Sequence, residues 1–422
     1  MQGGNACTEI ALLGTALFMI AFGLGSLVSA PFSEILGRNH VYIASLIIFA
    51  LFAMGAGLAP GISSWLACRF FAGLFGCPPL TNFGGTTADL WSPVERTYVF
   101  PLLLCLCFLG PFLAPMVAAF MGTSPLISWQ WTEWLTLILT GTLLLSILLF
   151  VPETFAPVLL KWKAQALRKA TGNELYRSEH EIEAIHLYRK LQRSVKLLLK
   201  FLLTEPNIQI FSLYMAVIYT VLFGFLPGRE FIFGSTGIYG LNQAHTGLCY
   251  IVINIGFLLS LFTIWPIHIR FKRRNSEAHE QGKQKVVPEE RLTHAIVGAP
   301  LLPISIFWIG WTSWPNVSHW SPLVGNVAFG YAIMQLYISS YQYIIDSYGI
   351  LSASALVGMT VTRYCVAGPM VIVSVPMYEN LGVHWTLTLL GCLAAPLAPV
   401  PYLFMYYGSI ARKKSKGATD FE

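Results

Sequence analysis

Charge is scarce in this sequence. Asp, Glu, Lys and Arg make up 11% of its 422 residues, against about 25% in ordinary soluble domains. A soluble globule of this length could not cover itself with so little polar surface, which excludes a cytosolic enzyme. The 55% apolar content excludes a disordered chain. Clustered ligand cysteines are also missing. The eight cysteines (Cys7, Cys68, Cys77, Cys105, Cys107, Cys249, Cys365, Cys392) lie mostly inside apolar runs, with no Cys-x-x-Cys pair and no Cys/His cluster. Neither a metal site nor a disulfide framework is indicated, and no cofactor is called for. No positive n-region precedes the first apolar run, which is too long for a cleaved signal peptide and reads as a span. Enzyme signatures are absent: no Gly-x-Ser-x-Gly, no phosphate-binding loop, no His-Glu-x-x-His. His180 to His186 approaches the last, but its spacing is wrong for two ligands on one helical turn. Without a nucleotide motif, any uphill transport must draw on an ion gradient. The net charge of +6 is gathered between apolar runs and forms no aromatic-interleaved stripe, so a nucleic-acid partner is not expected.

What is present is a succession of apolar runs near 10–36, 41–60, 63–88, 97–121, 131–151, 206–228, 243–269, 295–312, 320–345, 351–378 and 383–407. Each has the length of a bilayer-spanning helix, about 20 residues. Eleven spans put the two termini on opposite sides. Taking alternate loops as cytoplasmic, beginning at Arg38, places 23 of the 26 Lys and Arg on one side. The opposite loops hold none, and Arg69, Arg229 and Arg363 lie within or at the end of spans. The positive-inside rule then makes the C-terminus cytoplasmic. Asn316-Val317-Ser318 falls on the outer side as a glycosylation sequon close to both flanking spans. The chain divides into an N-terminal half of five spans (1–151), a cytoplasmic linker (152–205), a half of six spans (206–408) and a cytoplasmic tail (409–422). The linker alternates charge with Leu and Ile at helical spacing, as one or two amphipathic helices along the membrane face. The stretch 271–294 reads as a shorter, mobile hydrophilic loop with Gly282 and Pro288.

Several motifs stand out. Glu34 and Arg38 are four apart at the end of the first run, which would put them on one helical face. Gly37 between them permits a tight turn. A carboxylate at a bundle seam could act as a gate, the bland alternative being an ordinary interfacial pair. Arg69 lies about six residues into its span, some 9 Å deep, and either snorkels to the headgroups or faces a polar cavity. Arg363 is the most expensive charge. It lies near mid-bilayer, where insertion scales assign roughly 2.5–3.5 kcal/mol to such a residue. A cavity or interhelical site is favoured there, with no partner evident. Arg229-Glu230 and Glu133 read as interfacial. Tyr214, Tyr219, Asn326, Gln335 and Tyr341 are the candidates for a cavity wall, because mid-span amides need partners and polar aromatics recur around them. An internal repeat relates Gly110-Pro111 and Trp131-Thr132 to Gly368-Pro369 and Trp385-Thr386. Repeated halves are a common transporter device.

Taken jointly, these motifs resemble the fungal drug–proton antiporter branch of the major facilitator superfamily, the multidrug, polyamine and secondary-metabolite exporters. Ala30 to Arg38, with Glu34, Gly37 and Arg38, resembles the superfamily's first signature. Arg69 to Gly73 resembles the signature of the fourth family span, and Gly110-Pro111 through Pro115 the antiporter signature of the fifth. Gly84 to Trp91, Pro152-Glu153-Thr154, Leu167 to Gly172 and Asp346-Ser347-Tyr348 also match the branch. The resemblance implies an all-α polytopic membrane protein with the major facilitator fold, two pseudo-symmetric halves, and eleven of twelve spans present, the first family span being the one lacking. It implies a monomeric exporter of a small organic compound, coupled to protons, in the plasma membrane or alternatively the vacuolar membrane. Glu34, Gly37 and Arg38 would form the cytoplasmic gate, and Arg69 and Arg363 would be cavity or coupling charges. Gly110, Pro111 and Pro115 would bend a helix at the interface between halves. Proton coupling calls for a titratable carboxylate, from the lacking span or from Glu34. The alternatives are a transporter-fold sensor and an inactive truncated pseudotransporter.

Overall fold

Apolar runs of this length become helices because a backbone in hydrocarbon finds hydrogen-bond partners only within itself. The computed structural model describes residues 2–125, 127–178, 203–280, 287–349 and 352–413, together with positions 181, 192, 196 and 200. The first half contains α1 (Gln2–Leu36), α2 (Arg38–Gly57), α3 (Ile62–Gly76), α4 (Pro78–Thr81), α5 (Phe83–Leu90), α6 (Arg96–Thr123) and α7 (Trp131–Phe150). The linker contributes α8 (Ala156–Thr171). The second half contains α9 (Pro206–Phe225), α10 (Gly228–Phe233), α11 (Gln243–Leu248), α12 (Ile251–Leu261), α13 (Ile264–Glu280), a 3₁₀ turn (Pro288–His294), α14 (Ala295–Thr312), α15 (Trp320–Tyr348), α16 (Ser352–Ala394) and α17 (Val400–Lys413).

All eleven expected runs are helical, but four depart from single rods. The run 63–88 is broken at Pro78-Pro79, whose missing N–H groups interrupt the helical ladder and leave three pieces, α3, α4 and α5. The run 243–269 is likewise three short helices, and its last, α13, continues to Glu280. The expected loop 271–294 is corrected accordingly. Only 281–286 lies outside the described residues, and 288–294 is an ordered turn with Arg291 and His294 buried. The opposite happens at the end of the chain, where α16 runs through two expected spans and turns at Gly382, with φ +74°. Among the described residues, eight stretches are long and apolar enough to cross a bilayer, and one of them, Ser352–Gly408, has 57 residues, about 85 Å of helix and room for two crossings. The helix α15 is not among the eight, because Asn326, Gln335 and its tyrosines dilute its apolar content. It is nonetheless buried along almost its whole length, as a helix surrounded by others must be.

The two halves meet along two seams. Helix α1 packs against the first part of α16, and α6 packs against α11, α12 and α13. Close approach within each half rests on paired glycines. A β-carbon on Gly73 of α3 would collide with the Phe18 carbonyl of α1, and one on Gly256 of α12 with the Val327 carbonyl of α15. The first half is the more exposed. The apolar stretch of α7 is 11% buried, against 61% for α9 with α10. Helix α8 is amphipathic as expected, with Leu159, Leu160 and Trp162 exposed on one side and Val158 and Ala164 buried. The rest of the expected linker helix falls largely outside the described residues.

Candidate functional site

The end of the molecule that carries the basic loops is built around two arginines. At the first, Gly37 takes φ +97° and turns the chain from α1 into α2. The Glu153 carboxylate fills the start of α2, accepting from the Arg38 backbone N–H at 2.9 Å and the Asn39 N–H at 3.2 Å. It accepts also from the N–H groups of Thr154 and Phe155, both at 3.0 Å. An anion there satisfies the unpaired amides of a helix start and complements its dipole. The Arg38 guanidinium donates from Nε to Asp89 Oδ2 at 3.2 Å and from Nη1 to Ser33 Oγ at 2.6 Å, with its carbon 5.1 Å from the Phe155 ring centre. The expected pairing of Glu34 with Arg38 on one helical face is therefore corrected. Helix α1 stops at Leu36, the four-residue spacing no longer runs along one rod, and Asp89 is the acid that holds Arg38. Glu34 is half-buried at the end of α1.

The second arginine is Arg291, in the turn before α14. Its Nε donates to Asp346 Oδ2 at 2.6 Å, Nη1 to Thr97 Oγ1 at 2.7 Å and Nη2 to the Pro93 carbonyl at 2.7 Å, and it lies 3.9 Å over Phe271. Arg96 approaches the other oxygen of Asp346 at 3.7 Å, and Gln342 Nε2 donates to the Arg96 carbonyl at 3.1 Å. Pro93, Arg96 and Thr97 belong to the first half, so this network spans both.

At the opposite end, Arg69 pairs with Glu133, which also accepts from Trp65 Nε1 at 3.4 Å. Glu133 is 3% exposed, so reading it as interfacial is corrected. The apolar run hid it, and only its pairing explains its burial. Arg229 is corrected too. It is fully buried just after the Pro227-Gly228 turn, donates from Nη2 to Asn326 Oδ1 at 3.2 Å and lies 4.2 Å over Tyr250. A cavity of about 300 Å³ at this end is lined by Met121, Gly122, Trp129 and Thr132 among others, with no charged side chain.

The centre holds Arg363. It has no exposed surface. Its Nη1 donates to the Tyr337 hydroxyl at 2.5 Å, while Nε and Nη2 carry no hydrogen bond. Four tyrosine rings surround the guanidinium: Tyr219 at 4.7 Å, Tyr364 at 4.9 Å, Tyr337 at 5.1 Å and Tyr341 at 5.3 Å. The first half closes the cage. Phe108 stands edge-on to Tyr337 at 4.8 Å, Phe100 lies 6.1 Å from Tyr341, and Phe22 lies 4.7 Å from Tyr364. Desolvated cation–π contacts are worth about 2 kcal/mol or more, which offsets part of the cost of burying the charge.

Of the expected wall residues, Tyr219 and Tyr341 come together at Arg363. Three do not. Asn326 is committed to Arg229. Gln335 Oε1 accepts from His294 Nδ1 at 2.9 Å, and Gln335 Nε2 donates to Thr263 Oγ1. Tyr214 packs on Phe211 away from the cage. Arg69 also sits elsewhere, on Glu133. The seam face of α6 carries Phe108, Phe112, Met116 and Ala119, whereas Gly110 and Pro111 face outward, contrary to their expected place at the interface. Pro115 is half-buried beside the seam. Tyr364 was missed, and Tyr337, one of the polar aromatics that mark 320–345, was not chosen for the wall, since one more tyrosine among many gives no signal until helices converge.

Two helical bundles that meet around the buried Arg363, and are latched to each other at one end by Arg291, form the framework of a membrane carrier. The model of the Major Facilitator Superfamily matches residues 6–371, and the chain belongs to that superfamily. It is similar to the MFS-type transporter kojT of Aspergillus flavus, 53% identical over 96% of this chain and 71% of that protein. It is similar also to the multidrug transporter FLU1 of Candida albicans, 34% identical over 97% of this chain and 66% of that protein. Among solved structures, the proton:xylose symporter XylE superposes with a TM-score of 0.66 over 96% of this chain and 86% of that one. At 15% identity that likeness carries the fold alone.

Proposed function

We propose that the protein is a secondary active exporter of a small organic compound, driven by inward proton movement through alternating access, in the plasma membrane or the vacuolar membrane. The observation that carries the reading is the Arg363 cage. A buried cation, roofed by rings from both halves and holding two unused donors, is what a carrier needs at the point where its halves part. The basic end, being richest in Lys and Arg, is taken as cytoplasmic. In that orientation Arg291 is the latch that must let go for the centre to open inward, with Arg38, Gly37 and Glu153 bracing the first half. The multidrug transporter among its relatives supports export as the direction.

The experiment is accumulation of a panel of labelled compounds in cells with and without the protein, at two external pH values. An exporter coupled to protons lowers accumulation, and more so at the lower external pH. One observation favours a second reading, a sensor with a transporter fold: among the described residues, no carboxylate contacts Arg363, so the cage itself lacks a proton carrier. Saturable binding in reconstituted vesicles without pH-dependent counterflow would establish that reading and overturn the first.

A further inference from the structure

We infer that the central site takes a planar organic acid, held through two oxygens on the free edge of Arg363, and that it excludes polycations. The inference rests on the transport reading above and narrows it. Nε and Nη2 of a guanidinium point the same way, and their spacing matches the two oxygens of one carboxylate. In Arg363 those are the two groups without a hydrogen bond, while the remaining nitrogen is occupied by Tyr337. The other arginines of the bundle differ. Arg38, Arg69 and Arg291 each have a carboxylate, and Arg229 has the amide oxygen of Asn326. Arg291 and Arg363 both lie where the two halves meet, and of these five arginines Arg363 is the one surrounded by tyrosines in place of a carboxylate or amide partner.

Those rings set the shape. Tyr337 and Tyr341 stack at 4.4 Å with 16° between their planes, and Phe100 lies at 29° to Tyr341. These two rings already lie on each other, so no ring enters between them; the flat face of such a stack accepts a planar ring laid against it and leaves an unplanar one poorly packed. The charge sets the sign. A polyamine or cationic dye placed here would meet an uncompensated like charge away from water, where the repulsion is barely screened. An oxyanion would supply the counter-charge that the described side chains do not.

The test uses the full chain purified in detergent and equilibrium dialysis of radiolabelled salicylate, with cyclohexanecarboxylate, spermine and ethidium as competitors. Salicylate is expected to bind saturably, cyclohexanecarboxylate to compete weakly, and spermine and ethidium not to compete. Arg363→Gln is expected to weaken salicylate by about 10- to 100-fold, the usual loss when hydrogen bonds to a charged group are removed. Tyr214 packs on Phe211 away from the cage, and Tyr214→Phe is expected to stay within about threefold. Displacement of salicylate by spermine or ethidium overturns the inference. So does an affinity unchanged in Arg363→Gln, or no saturable binding of salicylate to the wild type. The wild-type competition decides even where a variant does not fold. Binding of salicylate without flux in vesicles would leave the inference standing and sink the transport reading. Proton-coupled export of a cation, insensitive to Arg363→Gln, would do the reverse.

Discussion

Arg38 and Arg291 hold matching places in the two halves. Arg38 opens α2, and Arg291 lies in the turn that leads into α14. Each gives Nε to an aspartate near the end of a later helix, Asp89 on α5 or Asp346 on α15. Each gives Nη1 to a hydroxyl, Ser33 or Thr97, and each lies over a phenylalanine, Phe155 or Phe271. The difference lies in whose hydroxyl it is. Ser33 belongs to Arg38's own half, whereas Thr97 and the Pro93 carbonyl belong to the half opposite Arg291. One construction has thus been used twice, once as an internal brace and once as a tie between moving parts. Only the tie can register whether the halves are together at the basic end.

The most forceful way to break this comparison is Arg291→Ala. It leaves Asp346 short of its main partner and removes the bonds from Arg291 to Thr97 and Pro93, so that Arg96 with Asp346 and Gln342 remain to join the halves there. Breaking a buried pair of this kind costs about 3–5 kcal/mol, measurable as a lower denaturation midpoint in detergent. Cys105 on α6, 1% exposed, should become open to alkylation at the same time, because the seam beside it loosens. Arg291→Ala combined with Asp346→Ala should recover part of the loss, since it removes the stranded charge. Arg38→Ala is the control. A cost of about 1–3 kcal/mol is expected from its charged hydrogen bonds, with no gain in Cys105 labelling. If Arg38→Ala exposes Cys105 as much as Arg291→Ala does, the distinction between brace and tie is wrong.

A smaller effect sharpens the same contrast within the first half. Glu153→Gln weakens the cap on α2, and losing a helix N-cap costs about 1 kcal/mol. The change should be confined to the first half, seen as faster amide exchange at Arg38 and Asn39 with the seam unaffected. Equal acceleration at Thr97 would mean that the brace and the tie are mechanically one unit.

How much of this was legible in the sequence depends on distance along the chain. The helical runs were visible because lipid imposes their length. The Gly-Pro repeat falls on α6 and α16, which both pack against the other half, although Gly110 itself faces outward while Gly368 packs against Ile20 of α1. Arg363 was legible because a mid-span arginine is too costly to be idle. Glu34 with Arg38 was misread because the four-residue rule assumes an unbroken helix, and Gly37 breaks it. Arg291 and Thr97 lie 194 positions apart, and no pattern in one sequence joins them. Asp346 was noticed as part of a motif, yet its role appears only when α15 brings it beside the turn at Pro288–His294.

The smallest effect comes from a third arginine–acid pair, one that ties neither half to the other. In the linker, Arg168 on α8 grips both oxygens of Glu181, each at 2.8 Å, and Gln165 Nε2 adds a bond at 3.2 Å. The bonds from Arg168 draw the Glu181 carboxyl down from 4.5 to about 2. A carboxyl lowered on folding contributes its stabilisation in full above its ordinary value and loses it as the pH falls toward the lowered one. The grip should hold unchanged from neutrality to about pH 5 and fade only between about 4.5 and 2. Carboxyl ¹³C chemical shifts of Glu181 in the full chain would follow it, and Arg168→Gln should return the midpoint toward 4.5. Being open to solvent, the pair should also weaken at 1 M salt, where charges are screened within about 3 Å, whereas the buried Arg291 tie should not. Equal salt sensitivity of the two would remove burial as the reason that one arginine holds the molecule shut and the other only steadies a linker.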